Sequence, residues 1–306
     1  MAFELNGTQY DTLASVITAA NSLESATITL LSNETFSASY TIKGNITLKG
    51  KYTLTRAETY LGTLFVINAG ATLTVDELCI DENASFVIND ALYFDYLYNH
   101  QKCTDNYLLV TYESGPKATA QLFNNKGTLN LLNVEIKNRY SANKGLILCN
   151  KDSTTTIAGA YVHNCANITN AGIVADLSAA GTIYVEEPTL IENNFIGGNH
   201  GIFKIYSSGY LYMNGGTIRN NKGCNSNGVV IGLYSGNFIM NDGLITQNYG
   251  VNGVANGRNS AIYVHRNSTF IMNGGEISNN IGGSVGGVDS QNNTVITIND
   301  GKIINN

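Results

Sequence analysis

The sequence predicts an all-β chain wound as a parallel β-helix, a solenoid with about 28 residues and three short strands in each rung. Three observations predict it. One phrase recurs as GYLYMNGGTIRNN from Gly209, GNFIMNDGLITQN from Gly236 and STFIMNGGEISNN from Ser268. Within each copy apolar and polar residues alternate with period two, the mark of a strand with one buried face. Glycine and asparagine then fall at fixed places, where a chain must turn sharply.

The N-terminal end needs a cover, because an exposed end of stacked strands invites other strands. Residues 1–40 are expected to form this cap around a short helix over 11–23, with Leu13, Val16, Ile17, Ala20 and Leu23 on one face and Asp11 as N-cap. TITLL, YTIKGNITLKG and YTLT read as the first strands, and residues 41–306 as the solenoid.

Anchored on one apolar position, the rungs run through Ile80, Ile136, Val162, Leu190, Ile218, Ile245, Ile277 and Ile303. From Ile136 onward the spacings are 26, 28, 28, 27, 32 and 26. A first inward column holds Leu73, Leu129, Thr155, Ile183, Leu211, Phe238, Phe270 and Ile296. A second holds Val75, Leu131, Ile157, Val185, Met213, Met240, Met272 and Ile298. The third strand is read in GLIL at 145, GIVA at 172, GIFKI at 201, GVVI at 228 and AIYV at 261. Asn-Gly-Gly or Asn-Asp-Gly makes one corner, and Asn220-Asn221, Asn248, Asn279-Asn280 and Asn305-Asn306 make another. Asparagines stacked at such a corner can satisfy one another's amides.

Two insertions interrupt the period: a tyrosine-rich excursion over 91–112 and a polar loop over 249–259. Loops on a rigid scaffold commonly carry function, although these tyrosines could equally cover an apolar side of the solenoid. The chain stops within a rung, so a longer repeat array or a covering partner is expected.

No apolar run is long enough to cross a membrane, and the first residues lack a signal-peptide pattern. The net charge is -6, with the acidic excess confined to residues 1–126. No basic stripe exists to neutralise phosphates, so nucleic acid is not an expected partner. The five cysteines lack Cys-x-x-Cys pairing and read as mostly free, buried thiols.

For chemistry, paired carboxylates are the first requirement of glycosidic hydrolysis. Asp76, Glu77, Asp81 and Glu82, or Glu186, Glu187 and Glu192, are the candidates, and the first group could also hold calcium. Neither set recurs on adjacent rungs, and no cofactor is expected. His100, His163 and His265 show no ligand spacing. Gly198-Asn199-His200-Gly201 is similar to the Gly-His-Gly of polygalacturonases, whose accompanying elements are missing here. A binding surface is better supported: Tyr184 with Tyr212, and Tyr206 with Tyr234, lie one rung apart and should stack, while Tyr93, Tyr96 and Tyr98 crowd the first insertion. Flat aromatic faces suit a sugar ring or a protein partner, and cross-strand pairs also simply stabilise sheets. Seven Asn-x-Ser/Thr sequons occur, at Asn6, Asn33, Asn45, Asn83, Asn167, Asn267 and Asn292.

The repeat F-x-M-N-G-G-x-I-x-x-N followed by a small-apolar strand resembles the right-handed parallel β-helix repeats of adhesin-like surface proteins of bacteria and methanogenic archaea. It is also similar to polymorphic outer-membrane protein repeats, through FVIN at 65 and 86 and FIMN at 238 and 270, with GGV at 286 and SAI at 260 as remnants of their second signature. The resemblance covers residues 60–306 and implies a cell-surface module that binds a glycan or a surface protein, or projects other parts. The alternative is a polysaccharide lyase or glycoside hydrolase, including the phage tail-spike kind.

Overall fold

A computed structural model describes residues 1–306 except 104, 170, 178–179, 199, 225–226 and 253–258. It is a parallel β-solenoid of about 9 turns. Face A, which includes Thr72–Asp76 and Thr128–Leu132, and face B, which includes Cys79–Asp81 and Glu135–Ser141, belong to one continuous sheet, and face C is a separate nine-stranded parallel sheet running from Tyr40–Ile42 to Val288–Ser290.

The columns read from sequence are the core. On face A, Leu73, Leu129, Thr155, Ile183, Leu211, Phe238 and Phe270 stack in register and are buried. Phe238 and Phe270 lie ring on ring, with centroids 5.2 Å apart. Val75 to Met272 form the second column beneath them. Ile296, Ile298 and Ile303 continue the columns but are exposed, because no further rung of this chain covers them.

On face B one register differs from expectation. Ile191, not Leu190, is the buried partner of Val162 and Ile218. The turn between Val185 and Ile191 is one residue longer than its neighbours, and a slip of one residue sends a side chain to the opposite face.

At the asparagine corner the two adjacent residues have separate tasks. The first takes a left-handed backbone: Asn193, Asn220, Asn279 and Asn305 all have φ of 54–57°, and Gln247 takes the same place at 53°. The second builds a buried ladder. Asn194 Nδ2 donates to Asn221 Oδ1 at 2.9 Å, Asn221 to Asn248 at 2.9 Å, Asn248 to Asn280 at 3.0 Å and Asn280 to Asn306 at 2.8 Å. Each Oδ1 also accepts the backbone N–H of the rung before. An exposed second ladder joins Asn214, Asn241, Asn273 and Asn299 at the glycine corner. There Gly243 has φ +102°, and a Cβ would fall 2.6 Å from Met213 Cε, so the position requires glycine.

Toward the N-terminus the buried corner changes chemistry. Cys165 occupies the column, its N–H donating to Asn194 Oδ1 at 2.9 Å. Before it stand Arg139, Glu82 and Arg56, all buried. Glu82 receives Arg56 Nε and Nη2 at 3.0 and 2.9 Å and Arg139 Nη1 at 2.6 Å. Arg56 Nη1 reaches the Gly62 carbonyl and Arg139 Nη2 those of Ala120 and Lys144, while Arg139 Nε has no hydrogen-bond partner among the described residues.

The cap is shorter than expected. Helix α1 spans Leu13–Ala20, and Thr12 rather than Asp11 caps it, because the Thr12 hydroxyl accepts from Ser15 N. Leu23 lies beyond the helix and is exposed. The solenoid begins at Ser25–Leu30, which pairs in parallel with Asn45–Lys49, so the boundary near residue 40 moves forward.

The first insertion folds into an antiparallel pair, Ser85–Ile88 with Val110–Ser114, enclosing helix α2, Asp90–Tyr98. The FVIN at 86 therefore lies in this hairpin, while FVIN at 65 is on face C and FIMN at 238 and 270 on face A. One F-x-x-N pattern serves three environments. In the expected second loop, Tyr249–Val251 is still a strand, pairing with Lys222–Cys224 in a short fourth column that the sequence did not reveal. Residues 253–258 of that loop lie outside the described residues.

Candidate functional site

Face C turns outward the side chains between its buried ones: Leu148, Asp176 and Lys204 succeed one another in register, and Tyr206 pairs with Tyr234 two positions further on. Lys144 sits just before this face, on the segment that crosses from the asparagine corner. Together Lys144, Leu148, Asp176, Lys204 and Tyr206 line a cavity of about 370 Å³. A second cavity of about 400 Å³ shares Asn143 and Lys144 with it and adds Tyr107, Lys117 and Tyr140. The first insertion thus supplies one wall through Tyr107.

The electrostatics of the pair are set by burial. Lys204 Nζ is 4.0 Å from Asp176 Oδ1 and 4.8 Å from the centre of the Tyr206 ring. Burial pushes the Asp176 carboxyl above its ordinary value, although the Gly172 N–H and the cations of Lys204 and Lys144 oppose the shift. Burial likewise lowers the Lys204 ammonium, with Asp176 opposing and Lys144 adding to it. Two lysines therefore face one reluctant carboxylate. In the second cavity Lys117 Nζ lies 4.0 Å from the Tyr112 ring centre. Such walls offer cations and flat apolar faces together.

The predicted tyrosine pairs do stack. Tyr206 and Tyr234 have centroids 4.8 Å apart with planes 12° apart, and His200 meets both edge-on. Tyr184 and Tyr212 are 5.2 Å apart on face A, with Tyr210 continuing the row at 6.1 Å. Only the first pair adjoins the lysine-lined cavity. Asn199, beside His200, lies outside the described residues.

The insertion tyrosines divide. Tyr93 is fully buried, its one hydroxyl proton shared between Gly223 O at 2.8 Å and Tyr249 O at 2.6 Å. It anchors the insertion and has no face left for a ligand. Tyr96 packs partly against the same cluster, and Tyr98 is exposed, stacked on Phe94 at 5.9 Å.

Most of the acidic candidates are held in contacts at corners or in ion pairs. Glu82 is sealed between its arginines and cannot ligate calcium. Asp76 accepts Asn133 Nδ2 and Asp81 accepts Asn138 Nδ2, so both hold corners. Glu186 accepts from Asn214, Glu187 from Gly216 N, and Glu192 from Tyr161 and Arg219. Among the described residues no group of three His, Cys, Asp or Glu side chains could hold a metal.

His163 has a partner that its spacing did not announce. Its Nε2 is 2.8 Å from Glu135 Oε1 on the outside of face B, where Lys137 also reaches at 3.1 Å. Burial opposes ionisation of Glu135, but hydrogen bonds from His163, Cys79 and Lys137 hold its carboxyl below the usual value. Cys79 in turn is pushed up to about 11, by burial first and Glu135 second, so it is no nucleophile at neutral pH.

No protein-family model matches the chain. No curated protein matches it either.

Proposed function

We propose that the protein is a binding module displayed outside the cell, and that it holds an acidic glycan in the paired cavities beside face C. The observation that carries this reading is the convergence of Lys144, Lys204 and Tyr206 on one cavity, with Lys117 in the next. A carboxylate-bearing sugar matches that surface: the lysines meet its carboxylate and the Tyr206 edge meets its hydroxyls. The rigid stack of rungs fixes these groups at strand spacing, so a polymer rather than a single sugar suits the two adjoining sites. The repeat resemblance to adhesin-like surface proteins supports the placement at a cell surface, where such a module would attach or project.

One observation favours cleavage instead. Asp176 and Lys204 are each drawn toward the neutral form, as an acid and a base would be. Hydrolysis needs a second carboxylate, and Asp176 is the one acid among the described residues lining the two cavities. Incubation with uronate-bearing and neutral polysaccharides, followed by affinity electrophoresis and assay of reducing and unsaturated ends, tests both readings. Retardation by the acidic polymers without new ends is expected. New ends would establish an enzyme, and no retardation by any acidic polymer would remove the glycan.

A further inference from the structure

The insertion is held to later rungs by contacts far apart in sequence. Asp90 meets Lys222 Nζ at 3.0 Å, Phe94 packs edge-on against Tyr249 at 5.3 Å, and Asn106 Nδ2 donates to Ile168 O at 2.8 Å. Two cysteines meet within this seam. Cys224 is the register partner of Val251, and Cys103 N donates to the carbonyl of the next residue, Asn252, at 2.7 Å. Both side chains are buried in the same cluster, with Tyr93, Leu97 and Phe195, and the Cys103 thiol donates to Asp105 O at 3.3 Å. The other cysteines point elsewhere: Cys149 to Thr155, Cys165 to the His163 carbonyl and Cys79 to Glu135.

We infer that Cys103 and Cys224 are a redox pair whose oxidation fastens the insertion covalently to the solenoid. The oxidant is a small-molecule disulfide. Cys103, as thiolate, attacks one of its sulfurs and expels one small thiolate, leaving a mixed disulfide on Cys103. Cys224 then loses its proton and attacks the Cys103 sulfur, expelling the second small thiolate. Two protein thiols are oxidised by two electrons, one small disulfide is reduced to two thiols, and the protons pass to those products.

The order follows from the contact. Cys103 is lowered chiefly by its neighbour Cys224, while Cys224 is raised by that neighbour and by burial, so Cys103 ionises first. Because both sulfurs are buried, the seam must open before the reagent enters, and the reaction runs slower than at an exposed thiol. The latch closes a long loop, the kind whose closure stabilises most in the chain-entropy account. It also fixes the wall to which Tyr107 belongs, a few residues beyond Cys103. The inference does not depend on which ligand the cavities take.

The test is exchange with oxidised glutathione, in buffer and in urea below the unfolding transition, followed by alkylation and peptide mapping. A linked peptide pair containing Cys103 and Cys224 is expected, with a melting temperature several degrees above that of the reduced protein. In the C103S/C224S double variant the melting temperature should not respond to oxidant. If both cysteines alkylate as free thiols after exchange in urea, or carry only separate glutathione adducts, the inference is overturned.

Discussion

Replacing Asn221 with alanine tests the buried ladder at its centre. The Asn221 side chain has five polar partners within hydrogen-bond distance, with two Nδ2 protons shared among three acceptors. Its Nδ2 reaches Ile191 O at 3.1 Å, Arg219 O at 2.9 Å and Asn248 Oδ1 at 2.9 Å, and its Oδ1 receives Asn194 N at 3.1 Å and Asn194 Nδ2 at 2.9 Å. After truncation Asn194 Nδ2 keeps the Glu192 carbonyl and Asn248 Oδ1 keeps the Asn221 N–H, but Asn194 N loses this acceptor in a buried site. One orphaned buried donor costs about 1–3 kcal/mol, and the weakened bonds add roughly 0.5–1.5 kcal/mol each where nothing replaces them. N221A should therefore lose about 3–4 kcal/mol in urea unfolding, with an unchanged slope. N241A is the control, because Asn241 has the same ladder geometry in water. It should lose about 0.5 kcal/mol. If the two variants fall within about 1 kcal/mol of each other, burial is not what gives the ladder its strength, and the reasoning fails.

Other outcomes follow from the same contacts. E82Q leaves Arg56 and Arg139 buried without their counter-ion and should cost about 3–5 kcal/mol in the same unfolding experiment. I218D places a carboxylate at a 1 % exposed position in the core and should unfold or aggregate the chain, whereas normal melting would refute the register. Asp176 binds its proton more tightly when folded, so its contribution is present at acid pH and is lost as pH rises from the ordinary value of 3.8 through the raised one. Melting of D176N followed from acid to neutral pH should lack that loss. Y206A should weaken acidic-polymer binding about tenfold, while Y184A should leave binding intact and cost about 0.5–1 kcal/mol of stability through its lost cross-strand partner Tyr212.

The architecture was legible because a solenoid writes its register into the chain. Phe238 and Phe270, or Met240 and Met272, are separated in sequence by one turn and touch in space for that reason. Leu190 was misplaced because a one-residue turn insertion shifts a column without changing its composition, and leucine and isoleucine stand side by side there. The site was only half legible. Stacking of Tyr206 on Tyr234 follows from the period, but Lys144 reaches its cavity from a crossing segment and Lys117 from a two-residue strand that follows the insertion. Glu82 looked like part of an acidic corner because its neighbours in sequence are acidic; its true neighbours, Arg56 and Arg139, are each a rung or more away. The pairing of Cys103 with Cys224 joins an insertion to a distant rung, and no local spacing encodes such a contact.

The most direct measurement is calorimetric titration of a uronate oligosaccharide into the wild-type chain and K144M/K204M, at low and moderate salt, with melting temperatures in parallel. The account predicts wild-type binding that weakens with salt, and loss of about tenfold or more in the double variant at a temperature where both proteins remain folded. Equal affinity in the two proteins would contradict it, and so would the absence of binding by the wild type.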